Sequence, residues 1–136
     1  MLDNTDLLIL DELSRNSRIT MKELGEKVHL TGPATSARVA KLEDSGIIEG
    51  YTIKINQVKL GYSIHAMISI ITNSSYHEPY LTFLNAQKEY VINNYKISGD
   101  SCYLLECKFP STKELDEFLV SLNKHVNYKL SIIIKK

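Results

Sequence analysis

The sequence predicts an α+β chain in two parts, and three observations predict it. Residues 20–46 carry two short helical signals around a tight turn, behind a further helical stretch. Near His65 the hydrophobic period changes from helical spacing to alternation. From there the elements read strand, helix, strand, strand, helix, strand.

In chain order, Asp3 or Asn4 can cap a first helix. Leu7, Ile9, Leu10 and Leu13 supply its buried face, and Asp6 suits the positive end of its dipole. Ser14-Arg15-Asn16-Ser17 is a polar break. Arg18 is expected to pair with an acid of the first helix, with a phosphate contact as its other role. Ile19 can staple the next helix start. Thr20 and Glu23 form a capping box, in which each side chain satisfies the other's backbone N–H. Leu24 and Val28 define one apolar face. Gly25 lies mid-helix, where glycine costs about 1 kcal/mol against alanine; a small residue there admits a second helix closely. Leu30 ends this helix and Thr31 opens the next. Pro33 lies in the first turn, where its missing N–H matters little. Val39 and Leu42 form a buried stripe, and Gly46 is the stop. Ser36, Ala37, Arg38, Ala40 and Lys41 are left for other faces. Two short helices so joined are the layout of a helix-turn-helix, whose second helix enters the major groove. A plain αα-hairpin has the same pattern.

Residues 47–56, IIEGYTIKIN, alternate: Tyr51, Ile53 and Ile55 on one face, Thr52 and Lys54 on the other. This predicts a strand with one buried face. NQVKLGY (56–62) is the linker, with Gly61 at its turn. Strands are expected at 65–72, 91–98, 102–109 and 128–135, and helices at 80–89 and 112–125. Ser111 and Glu114 suggest a second capping box, and Gly99-Asp100-Ser101 a tight turn. This order is the split βαββαβ, ferredoxin-like pattern, in which two helices cover one face of the sheet. The strands at 65–72 and 128–135 carry large apolar groups on both faces. The uncovered face then implies a second copy of the chain; a fully buried strand in a monomer is the alternative.

Composition narrows the function classes. The chain has 136 residues, 43% hydrophobic, enough for one or two small domains with a core. No apolar run approaches the length of a membrane-spanning helix, and MLDNTDLL lacks the basic start of a signal peptide. The expectation is a cytoplasmic protein without a membrane partner. Cys102 and Cys107 lie five apart on an expected strand and so on opposite faces, which excludes a disulfide or shared metal; both read as small buried hydrophobes. His29, His65, His77 and His125 have no metal-ligand spacing, and no phosphate loop or catalytic motif occurs, so neither metal, cofactor nor enzyme activity is expected. Net charge is zero, and residues 1–60 hold eight Lys/Arg against nine Asp/Glu. That balance is unusual for a strong non-specific DNA binder and makes several weak modules acting together necessary.

The stretch Arg38-Val39-Ala40-Lys41-Leu42-Glu43-Asp44-Ser45-Gly46-Ile47-Ile48-Glu49-Gly50-Tyr51-Thr52 resembles the Lrp/AsnC (leucine-responsive, feast-famine) family of bacterial and archaeal transcription regulators. Leu2-Asp3, Asp6, Ile9-Leu10, Leu13 and Arg18-Ile19 match the same family with the expected spacing. The similarity runs from Leu2 to about Asn56 and continues more weakly to the C-terminus. It implies a three-helix (winged) helix-turn-helix domain over 1–50, a connecting strand and linker over 51–63, and a ferredoxin-like domain over 64–136 that dimerises through its sheet and often binds an amino acid between subunits. The family's effector marker is Gly, two variable residues, an acid, then Tyr. Here it reads Gly99-Asp100-Ser101-Cys102-Tyr103. Cys102 stands where Asp is usual, and Asp100 is two positions early. A thiol supplies no negative charge for an ammonium group, which puts amino-acid sensing in question, and Gly99 reads equally as a turn glycine.

The expected function is a dimeric or higher-order, for instance octameric, regulator that binds double-stranded DNA and associates with the nucleoid. Arg38 and Lys41 are the candidates for phosphate or base-edge contacts, with Thr35 and Ser36 as hydrogen-bond donors and the amides near Thr31–Pro33 favouring a phosphate. Arg38 has an alternative: a salt bridge to Glu43 or to an acid of the first helix. Ala37 and Ala40 make base readout sparse, so specificity can rest on DNA bending. An effector-independent architectural protein that wraps DNA is the second reading. A small-molecule-binding module without DNA binding is the third.

Overall fold

Capping chemistry sets the N-terminal helices in the computed structural model, which describes residues 1–136. Helix α1 (Asn4–Arg15) starts at Asp3, whose carboxylate accepts from the Asp6 amide while Asp6 accepts from the Asp3 amide. Helix α2 (Met21–Val28) starts at the Thr20–Glu23 box, with both reciprocal bonds present. Helix α3 (Gly32–Asp44) starts at Thr31, whose hydroxyl accepts from the Ala34 amide. Ile9, Leu13, Ile19, Leu24, Val28, Val39 and Leu42 form one core among the three helices. Gly46, at φ +80°, lets the chain leave α3.

Two expectations for this part are corrected. Leu7 is half exposed and lies outside the core, because Ile9 and Leu13 alone are fully turned inward from α1. Arg18 makes no ion pair: Arg15 binds Asp11 and Glu12 within its own helix, and Lys27 approaches Glu12, so those acids are already matched.

Contacts divide the chain into Met1–Lys54 and Ile55–Lys136. The strand expected over 47–56 is not formed. A strand exists only where a partner completes its ladder, and the four strands of the second unit pair solely with one another. Tyr51, Ile53 and Ile55 are accordingly exposed.

The second unit contains β1 (Ile64–Ile71), α4 (Glu78–Ala86), β2 (Val91–Lys96), β3 (Tyr103–Phe109), α5 (Thr112–Leu122) and β4 (Asn127–Ile132). The sheet order is β2-β3-β1-β4, antiparallel throughout, which is the ferredoxin-like arrangement. The helices and β4 end a few residues earlier than hydrophobic spacing suggested. Ala66, Ile68 and Ile70 alternate inward from β1, paired in turn with Cys107, Leu105 and Tyr103 of β3. Tyr80 and Leu84 of α4 and Leu115, Phe118, Leu119 and Leu122 of α5 close this face. The opposite face is mixed rather than apolar. His65 Nε2 lies 2.6 Å from Glu106 Oε2, and Asn93 donates to Glu106 Oε1 at 2.9 Å. These contacts, first the Asn93 amide and then His65, hold the Glu106 carboxyl below its ordinary value.

The Ser111–Glu114 box is not made. The Ser111 hydroxyl bonds the Glu114 carboxylate directly and caps no backbone amide. Cys102 precedes β3 instead of lying within it and is only half buried; Cys107 is fully buried. No helix is long and apolar enough to cross a membrane.

Candidate functional site

The turn between α2 and α3 is tight because Gly25 has no side chain. A Cβ there would lie 2.5 Å from the Leu30 carbonyl oxygen and 2.9 Å from Thr35 Oγ1. His29 makes the turn itself: it takes a left-handed conformation, φ 61°, and its amide bonds the Gly25 carbonyl. The amide of Leu30 bonds the same carbonyl at 2.9 Å. The backbone of Lys22 runs beside Gly32, so the starts of α2 and α3 come together. The α2 start already holds the Glu23 carboxylate, whereas at the α3 start the Gly32 amide has no partner and favours an anion.

The residues expected at a DNA contact separate into three groups. Thr31 caps α3, and Pro33, Ser36, Ala37 and Lys41 are exposed along it. Thr35 is withdrawn: it is fully buried against Gly25, and its hydroxyl donates to the Thr31 carbonyl at 2.8 Å. Burial of the helix's inner stripe overrides its polarity, so the expectation that Thr35 donates to DNA is corrected. Arg38 is engaged within the fold. Its Nη1 donates to Asp3 Oδ1 at 2.8 Å, Asp3 Oδ2 at 2.7 Å and Asp6 Oδ1 at 3.2 Å. The acid of the first helix, not Glu43, is therefore its partner. The guanidinium in turn holds the Asp3 carboxyl below its ordinary value. Lys41 has no carboxylate within ion-pair distance, nor do Arg18, Lys22 and Lys54. Lys22 was not singled out in the sequence; only the close passage of Gly32 places it at this edge.

At the end of the sheet where β2 turns into β3, Gly99 takes φ +135°, which an L side chain rarely adopts. Asp100 is exposed, Ser101 and Cys102 are half buried, and Tyr103 is buried. The Cys102 amide donates to the Ile70 carbonyl at 2.8 Å, tying the turn to β1. Tyr103 points its hydroxyl to His77 Nδ1 at 2.9 Å, and His77 Nε2 lies 3.1 Å from the Ser74 carbonyl. These groups line a cavity of about 200 Å³ together with Thr72, Tyr76, Tyr80 and His125. Of the five residues expected at an effector site, only Tyr103 lines it. The sequence marks NSSYHEP (73–79) as a loop but gives His77 no role in it, because helical and strand periodicity says nothing about loop side chains.

Comparisons with known proteins agree with this geometry. A profile described as winged helix-turn-helix DNA-binding matches residues 2–49. The chain is 65% identical to the HTH-type transcriptional regulator LrpA of Bacillus subtilis over 136 residues, covering 100% of both. Among solved structures it resembles LrpC of B. subtilis, with a TM-score of 0.91 at 29% identity, covering 100% of this chain and 96% of that one. It also resembles a transcriptional regulator of Neisseria meningitidis solved with L-methionine, with a TM-score of 0.91 at 26% identity, covering 100% and 92%.

Proposed function

The chain belongs to the Lrp/AsnC family of helix-turn-helix transcription regulators, and from that premise we propose how it engages DNA and what it senses. It is a DNA-binding regulator rather than an enzyme. The proposed assembly is a homodimer or a higher oligomer such as an octamer, each α3 entering a major groove of double-stranded DNA. The observation that carries this reading is the division of α3 into two stripes. Thr35, Val39 and Leu42 are locked inward, while Pro33, Ser36, Ala37 and Lys41 stand free. Lys41 and Ser36 are the proposed contacts to the backbone and to polar edges, with the Thr31–Pro33 end against a phosphate.

The exposed segment Tyr51, Ile53, Ile55, Val58 and Leu60 supports a second copy as partner, since its apolar groups find no cover in their own chain. The Gly99–Tyr103 turn and its adjoining cavity are the proposed site of an amino-acid effector. The Tyr103 hydroxyl, the His77 ring and the Ser74 carbonyl give that cavity a few polar groups for a small ligand.

The experiment is a titration of the full-length protein with its own upstream region and with an unrelated duplex of equal length, at one fixed salt concentration. Preference for its own region is expected. Equal affinity would instead favour the architectural reading, for which the small exposed side chains of Ala34, Ala37 and Ala40 speak. A melting series with millimolar amino acids tests the effector: a ligand at about 100 times its Kd adds about 2.7 kcal/mol. No shift with any of them would remove amino-acid sensing.

A further inference from the structure

By residue type, Arg38 is the natural phosphate ligand of α3, yet its surroundings argue otherwise. One guanidinium nitrogen carries all three bonds to Asp3 and Asp6. Those carboxylates cannot swing aside freely. Asp3 is the N-cap of α1, accepting from the Asp6 amide at 2.8 Å, and Asp6 closes the reciprocal bond at 3.2 Å. Moving the carboxylates aside would therefore uncap the helix. Two carboxylates and one guanidinium also leave the cluster with a net negative charge, and a phosphate reaching Arg38 would meet both acids within a few ångströms. Lys41, almost a turn later, faces no such charge.

We infer that Arg38 is a positioning residue: it fixes the start of α1 to α3 through Asp3 and Asp6, and contact with the DNA backbone falls to Lys41. This rests on α3 being the helix that reads DNA. The clasp spans 35 residues of sequence and joins α3 to the one helix of the unit that is not its partner in the turn. It sets the direction of α3 in the way a third support sets a tripod, whereas the Gly25 contact fixes only the approach of α2.

The test uses the full chain and fluorescence anisotropy with a labelled duplex, its own upstream region, at several KCl concentrations. The variants are Arg38→Gln, Asp3→Asn, the double variant, Arg38→Lys and Lys41→Gln. Asparagine still caps a helix, so Asp3→Asn removes the charge and keeps the cap. Well below the melting temperature, Arg38→Gln and Asp3→Asn should each weaken binding roughly fivefold or more, the scale of one lost charge-assisted hydrogen bond. Their salt slopes should match wild type, the double variant should be no weaker than Arg38→Gln, and Arg38→Lys should recover part of the affinity. Lys41→Gln alone should lower the slope by about 0.9, one phosphate contact.

If Asp3→Asn tightens binding, or Arg38→Gln lowers the slope as Lys41→Gln does, Arg38 is a phosphate ligand and the inference fails. Unchanged affinity in both Arg38→Gln and Asp3→Asn would make the ion pair a stability feature only, which also overturns it. Should Arg38→Gln not fold, Asp3→Asn and Arg38→Lys carry the same signs. Wild-type protein that binds no duplex overturns the DNA reading and this inference together. Wild-type binding with the wrong variant pattern overturns this inference alone.

Discussion

Lys41 and His29 show how much single residues decide here. Lys41 is exposed on α3 and unpaired. Lys41→Ala should weaken binding to all duplexes alike and reduce the salt slope by about 0.9; loss of selectivity at one base pair would mean a base contact instead. His29 holds a left-handed backbone without being glycine. His29→Gly should raise the stability of the N-terminal unit by about 0.5–1 kcal/mol, read from its denaturant midpoint. Burial pushes the Cys107 thiol up to about 12, so it is protonated at neutral pH. A thiol reagent at pH 8 should modify Cys102 and leave Cys107 untouched until the protein unfolds; two rapid equivalents would mean that the sheet opens readily.

Among the elements, the contact of α2 with α3 is the least forgiving. Gly25→Ala puts a methyl group against the Leu30 carbonyl, which is backbone and cannot rotate away. The expected loss is about 1–3 kcal/mol of stability, measured by thermal melting, with DNA affinity falling as α3 tilts. This contact was legible in the sequence because a lone glycine inside an amphipathic helix needs a neighbour. The caps at Thr20 and Thr31 were legible for a similar reason: they are local chemistry within four residues. What could not be read depends on distance along the chain. An acid of the first helix stood only as an alternative to Glu43 for Arg38, since the choice of Asp3 and Asp6 lies two helix starts away, and alternation in residues 51–55 promised a ladder whose other half no local pattern specifies. Thr35 failed as a site residue because its polarity outweighed its position, while the fold weighed position first. The cavity beside Tyr103 depends on a loop, and loops follow turn chemistry rather than period.

For the whole molecule, acid stability follows from depressed carboxyls in both units. Asp3, beside Arg38, and Glu106, beside Asn93 and His65, titrate below their ordinary values when folded. A depressed group stabilises the fold above its unfolded pKa, and that stability is lost as pH falls through the folded one. Urea midpoints should therefore hold from pH 7 to about 5 and decline below, in the carboxylate range. Glu106→Gln should flatten the decline for the second unit alone; an unchanged profile would show that the His65–Asn93–Glu106 set contributes nothing to folding. Since the contacts divide near Lys54, each unit should melt on its own curve, and one Tm would not describe the protein.

The order of the sheet has a bearing on synthesis. β1 lies between β3 and β4, so it leaves the ribosome with neither neighbour yet made. The helical unit, built from contacts near in sequence, can fold while translation continues. The strand Ile64–Ile71 waits, alternating and sticky, until Asn127–Ile132 emerges to take its far edge. A translational pause between these two strands would lengthen the exposure of a sequence well suited to pairing with a neighbouring nascent chain, and chaperone demand during synthesis should rise there.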